Sequence, residues 1–128
     1  MIQKEKCLVI DIDGTLCREK EKSEKYLDVE PNWMVVNKMI EYKKNGFYLI
    51  LYTSRNMNTF DGNLGLINAI TSKETLEWLT MHKIPFDEIH YGKPWCGKGG
   101  FYIDDKAIRP NEFLNNPYET IIDLINGK

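Results

Sequence analysis

The stretch Lys6–Leu16 reads K-C-L-V-I-D-I-D-G-T-L, and its reading decides the fold. Cys7, Leu8, Val9 and Ile10 form a continuous apolar run, the pattern expected of a strand buried on both faces of a parallel sheet. Two carboxylates follow, Asp11 and Asp13. Strand side chains alternate, so residues two apart leave on the same side. Gly14 ends the regular strand and lets the backbone turn close to whatever those acids hold. Two carboxylates at a strand end repel each other unless a cation or a transferable proton lies between them. The stretch therefore points to metal-assisted chemistry.

Outward from this strand, the chain alternates between apolar runs of strand length and helical stripes. Residues 17–30 are charged, of mixed sign and poor in apolar residues. They read as a solvated loop, or as a short flap over the acids with Tyr26 as its contact. Pro31 suits the first position of a helix carrying Trp33, Val36, Met39 and Ile40 on one stripe, closed by Asn45-Gly46. Phe47–Tyr52, F-Y-L-I-L-Y, reads as a second buried strand, ending in Thr53-Ser54-Arg55-Asn56. The loop that follows is rich in glycine and asparagine and long enough to be functional. Thr71 and Glu74 form a capping box for a helix to about Lys83, with Leu76 and Leu79 inward, and Pro85 stops it. Residues 88–91 and 101–103 read as two further strands, the second ending in Asp104-Asp105. Pro110 and Pro117 each open a helical turn, and Ile121, Ile122 and Leu124 dock the last helix.

Strands alternating with helices imply α/β architecture: a Rossmann-like, mostly parallel sheet flanked by helices in a single domain over residues 1–128. In such sheets the site lies beyond the carboxyl ends of the strands. Asp11, Asp13, Thr53, Lys93 and Asp104-Asp105 all fall there, from four separate segments. That inventory suits phosphate-ester chemistry, which needs screening of negative charge, an in-line nucleophile and protonation of the leaving oxygen. Asp11 is the candidate nucleophile and Asp13 the candidate general acid and base. Thr53 and Ser54 are placed to hydrogen-bond phosphoryl oxygens, and Lys93 to balance their charge. Arg55, Asn56 and Trp95 are candidate substrate contacts. Asp11, the Asp13 carbonyl, Asp104 and Asp105 (directly or through water) form an oxygen-donor set suited to Mg²⁺.

D-I-D-G-T-L, the strand ending in Thr53, Lys93 and the acidic pair after F-Y-I resemble, in order, the four motifs of the haloacid dehalogenase (HAD) superfamily. T-S-R-N-M, F-D-G-N-L-G, G-K-P-W-C-G, G-F-Y-I-D-D and R-P-N-E-F extend the likeness to the small HAD phosphatases of bacterial capsule and polysaccharide biosynthesis. Ser54 stands where those members usually carry alanine. The resemblance implies a domain without a separate cap and a phosphatase that forms an aspartyl-phosphate. An acid at the position of Asp13 goes with phosphatases and phosphomutases. The short segment 17–30 offers little lid, which favours hydrolysis over mutase chemistry. The implied substrate is a small phosphate monoester, such as a sugar or polyol phosphate.

Other readings carry less. Gly92–Lys98 spells G-x-x-x-x-G-K, but Gly99 replaces the Ser/Thr of a P-loop and no helix follows. A receiver domain also gathers acids, a threonine and a lysine, yet here the late acids come after the lysine. His82 and His90 are too isolated to be a metal pair. Cys96 reads as inert and Lys98 as solvated. A non-catalytic binding or assembly module with this fold is the alternative from another class.

The bulk numbers set limits. The chain has 128 residues, 42% hydrophobic, 28% charged, with net charge -2. That balance gives no electrostatic reason to expect nucleic acid or an anionic membrane. No apolar stretch approaches the roughly 20 residues of a membrane span. The opening M-I-Q-K-E-K leaves no room for a leader. Cys7, Cys17 and Cys96 form no C-x-x-C pair, which suits a reducing cytoplasm. An open site needs walls from elsewhere, and self-association through Trp33, Trp78 or Trp95 would supply them.

Overall fold

A computed structural model describes residues 5–127, which fall into two compact units, one running to Trp95 and the other Cys96–Lys128. The first unit is an α/β body. It contains β1 (Cys7–Asp11), α1 (Trp33–Lys44), β2 (Tyr48–Thr53), α2 (Leu64–Leu66), α3 (Ser72–Met81) and β3 (Glu88–Tyr91). The strands form a parallel sheet in the order β1-β2-β3. Asp11 lies opposite Tyr52, and Thr53 opposite Tyr91, so the three strands end along one edge.

Burial on β2 alternates: Leu49, Leu51 and Thr53 are buried, whereas Tyr48, Ile50 and Tyr52 are half-buried. The core on the buried face joins Ile10, Leu49 and Leu51 to Val35, Val36, Met39, Trp78 and Leu79. On β1, Val9 is 63% exposed. The expectation of a strand buried on both faces therefore fails on the side of Val9. Two-residue periodicity puts Val9, Ile50 and Tyr52 on the other face, where they line a shallow depression with His90.

Several helix boundaries differ from the sequence reading. Pro31 lies before α1, in an isolated bridge to Cys17, and Asn32 takes the N-cap position. Trp33 is 41% exposed; Val35 and Tyr42 join Val36 and Met39 in the core instead. Asn45-Gly46 closes the helix as expected, with Gly46 at φ 90°. Thr71 is no cap. The helical run starts at Leu64, where Asn63 Oδ1 accepts the Leu66 N–H at 3.2 Å, and passes through a π turn (Ile67–Thr71) into α3. The sequence signal failed because Thr71 spends its hydroxyl on Asn56 Oδ1, at 2.8 Å. Thr75, Trp78 and Leu79 face inward, and Leu76 is 41% exposed. Trp78 is fully buried with its indole N–H on the Val29 carbonyl at 2.8 Å, so it is core and cannot serve self-association.

The second unit contains α4 (Pro110–Asn115) and α5 (Tyr118–Ile125). Pro110 starts α4, and the Glu112 carboxylate accepts the Arg109 N–H at 2.9 Å. On α5, Ile121 is buried and Leu124 is 41% exposed. Residues 101–103 form no strand: three residues are at the short limit for one, and Phe101 and Ile103 are 77% and 90% exposed.

The buried and open faces make different demands on side chains. Leu49→Ala should lower stability by about 3 kcal/mol through cavity formation. Met34→Ala, at a position 67% exposed on α1, should stay within about 0.5 kcal/mol. Urea unfolding midpoints of the two variants check the difference.

Candidate active site

At the common edge of β1, β2 and β3, two carboxylates are each met by a cation from a distant segment. Lys93 follows β3 after one glycine; its backbone N–H donates to the Thr53 carbonyl at 3.1 Å, which fixes the chain just beyond the strand. Its ammonium reaches Asp11 Oδ1 at 3.3 Å. Burial pushes the Asp11 carboxyl above its ordinary value, and Lys93 opposes that shift. A half-buried acid raised by desolvation is stabilised in its charged form by any further positive charge.

Asp13 has a different partner. Arg55 donates from Nε to Asp13 Oδ2 at 2.9 Å and from Nη2 to Oδ1 at 3.0 Å, a two-pronged ion pair. The Arg55 side chain is fully buried, whereas Asp13 keeps 23% exposure. Burial pulls the guanidinium down, but Asp13 outweighs it and the net shift is upward. A buried arginine needs every donor occupied. Arg55 Nη1 reaches Thr75 Oγ1 at 3.3 Å, and the Tyr26 ring lies 4.0 Å from the guanidinium carbon. Cys17 Sγ sits 3.6 Å from Asp13 Oδ1 and 3.9 Å from Arg55 Nη2. Burial and the nearby Asp13 push this thiol up to about 12, leaving it un-ionised at neutral pH.

The local backbone explains these positions. Gly14, at φ 91°, turns the chain directly after Asp13 and sends its N–H to the Cys17 carbonyl at 2.7 Å. Ile12, between the two acids, is fully buried, so both acids project away from the core. On β2, the Thr53 hydroxyl is buried and accepts the Arg55 N–H at 3.1 Å. Asn56 sits at φ 58°, a left-handed position that asparagine tolerates well.

The segment 17–30 is anchored to the first unit rather than free. Its base is tied by the Cys17–Pro31 bridge and by the Asn32 N–H on the Leu16 carbonyl at 2.6 Å. Val29 anchors it in the core, and Arg18 grips Glu24 within it at 2.6 and 2.7 Å. Tyr26 lies over Arg55 rather than over the acids themselves. Between this segment and the sheet edge lies a cavity of about 260 Å³, lined by Asp13, Glu19, Lys20, Tyr26, Ser54, Arg55, Asn56, Asn58, Thr59 and Trp95. Ser54, Asn56 and Trp95 were expected at such a wall. Glu19, Lys20, Asn58 and Thr59 were not, since nothing in loop composition marks which polar residues turn inward.

Asp104 and Asp105 belong to the second unit, where both are exposed and Asp104 Oδ1 accepts the Lys106 N–H at 2.9 Å. Among the described residues, no group of three or more His, Cys, Asp or Glu side chains is gathered to hold a metal. His90 pairs with Glu88 at 2.8 Å on the exposed strand face. None of the described helices is long and apolar enough to cross a membrane.

No family model and no curated protein matches the chain. A solved structure does: the crystal structure of a Vibrio cholerae protein described only as an MCSG target. It is 44% identical, with a TM-score of 0.90, over 95% of this chain and 98% of that one. At that identity and coverage, the chain belongs to the same protein family as the Vibrio cholerae relative.

Proposed function

We propose that the chain is a Mg²⁺-dependent phosphomonoesterase of the HAD type, acting on a small phosphorylated metabolite. The observation that carries this reading is the contact between Lys93 and Asp11, 3.3 Å apart at the carboxyl edge of a parallel sheet, with Asp13 two residues on. The fold supports it, because ligands of parallel sheets bind at that edge.

Asp11 attacks phosphorus, and the bond from phosphorus to the ester oxygen breaks. Asp13, paired as a carboxylate with Arg55 in the resting site, takes up a proton as the ester binds and gives it to that oxygen, which departs as an alcohol. Asp13, now a carboxylate, takes a proton from water as the water attacks the aspartyl-phosphate, releasing inorganic phosphate and restoring Asp11. Lys93 balances the charge of Asp11 and of the phosphoryl group throughout. Arg55 fixes the direction of Asp13, and one arm of its grip must loosen when Asp13 turns to the ester oxygen.

The donors proposed for the metal, Asp11, the Asp13 carbonyl, Asp104 and Asp105, are all oxygen, and the upward shift of Asp11 suits added positive charge. When bound, Mg²⁺ would screen the phosphoryl oxygens. The cavity walls favour a hydroxylated leaving group: Ser54, Asn56, Asn58 and Thr59 offer hydrogen bonds, and Trp95 a flat apolar surface. Its volume of about 260 Å³ suits a sugar or polyol better than a nucleotide. The sequence resemblance supports a place in polysaccharide biosynthesis in a cytoplasmic setting.

Hydrolysis of p-nitrophenyl phosphate should require Mg²⁺ and stop on chelation. Absence of turnover in folded protein with metal would instead support a non-catalytic module. Asp11→Asn should cut kcat at least about a thousandfold, and full activity would contradict its role. Asp13→Asn should slow alkyl phosphates more than aryl phosphates, whose leaving groups need less protonation. Arg55→Lys keeps the charge but loses the fork; kcat should fall roughly tenfold with KM little changed, read from initial rates.

A further inference from the structure

We propose that two buried threonines, Thr75 on α3 and Thr71 just before it, position the site from behind. Thr75 holds Arg55 while Asp13 moves, and Thr71 turns the Asn56 amide toward the substrate, a division of work that rests on the phosphatase reading.

Thr71 and Thr75 are four residues apart in one helical run, so their side chains share a face. They are 2% and 1% exposed. Valine would fill the same space without a hydroxyl, and a buried hydroxyl is costly unless it is bonded. Here both are bonded, in one connected chain. Thr75 spends its single proton on the Thr71 carbonyl at 2.8 Å, which leaves its lone pairs to accept from Arg55 Nη1 at 3.3 Å. Thr71 donates its hydroxyl to Asn56 Oδ1 at 2.8 Å. Two adjacent residues just beyond β2 are thus each held by one threonine. The π turn Ile67–Thr71 ends at the first of the pair, an irregularity of the kind that helices commonly carry at functional sites.

The two contacts do different work. Arg55 grips Asp13 through Nε and Nη2, and Thr75 takes the other arm, Nη1. When Asp13 turns to the ester oxygen and loosens that grip, Thr75 and the Tyr26 ring, 4.0 Å from the guanidinium carbon, keep the fork in place for its return. Thr75 therefore acts on the chemical steps. Asn56 lines the cavity, and with Oδ1 committed to Thr71 its amide has N–H groups to offer there. Such donors suit a hydroxyl or phosphoryl oxygen of the ester, so Thr71 acts on binding.

Steady-state kinetics with Mg²⁺ separate the two roles. Thr75→Val should lower kcat roughly tenfold with KM little changed. Thr71→Val should raise KM roughly fivefold with kcat little changed. Thr75→Ser and Thr71→Ser keep the hydroxyl and should bring each constant back to within about twofold. Both valines moving the same constant, or no recovery with serine, overturns the division. A second measurement needs neither a variant nor turnover. In the ¹⁵N–¹H spectrum of the natural chain, the Arg55 Nη1 and Nη2 protons should give separate signals, because a fork held on both arms rotates slowly. One averaged signal overturns the hold on Arg55. Thr75→Val should merge those signals and Thr71→Val should leave them apart; signals that stay apart in Thr75→Val overturn the role of Thr75. If the natural chain hydrolyses no ester the phosphatase reading fails, while the Arg55 signals still decide whether Thr75 holds the guanidinium.

Discussion

Asp11 and Asp13 stand two residues apart at the end of a strand, and each is met there by a counter-charge of its own. Carboxylates held this close repel each other, and a cation beside each offsets that repulsion. The chain resolves this by giving each acid a different cation from a different segment. Lys93 arrives from the far side of the sheet, two residues beyond β3, and Arg55 from two residues beyond β2. Strand pairing sets where both cations begin, so the sheet register and the charge arrangement are one constraint. A slip of one residue on β2 would turn Thr53 and Leu51 outward and leave Arg55 without Asp13.

The two cations are held in different ways. Lys93 keeps 19% exposure, and its contact with Asp11 is long at 3.3 Å, as suits a charge that must also meet an incoming phosphoryl group. Arg55 has no exposure and is enclosed by Thr75, Tyr26 and Asp13. Removing one partner of such a buried pair costs about 3–5 kcal/mol, so Arg55 ties residues 17–30, α3 and the strand end together. Tyr26 is thereby part of the support of Asp13, although it touches no acid directly.

Much of the first unit was legible in its sequence because the signals were local and redundant. The apolar runs of β1 and β2, the closing Asn45-Gly46 and the strand at 88–91 each depend on neighbouring residues. The pairing of Asp11 with Lys93 followed from topology alone, since both fall at one edge. Thr71-x-x-Glu74 misled because a capping box is a local pattern, whereas the side chain of Thr71 is committed to Asn56, which is distant in sequence. The burial of Arg55 was hidden for the same reason: its partners Asp13, Tyr26 and Thr75 come from three separate segments. Trp78 showed the opposite error, an aromatic residue read as a surface contact although it fills the core beneath Val29.

The reading of β1 as buried on both faces is the most informative mismatch. The composition C-L-V-I asks for two covers, and the first unit provides one, over Ile10, Leu49 and Leu51. On β2 the same alternation appears, with Leu49 and Leu51 buried and Ile50 and Tyr52 half-buried. A run of apolar residues records that a strand belongs in a sheet, whereas which of its two faces is covered depends on helices distant in sequence, here those carrying Val35, Met39 and Leu79.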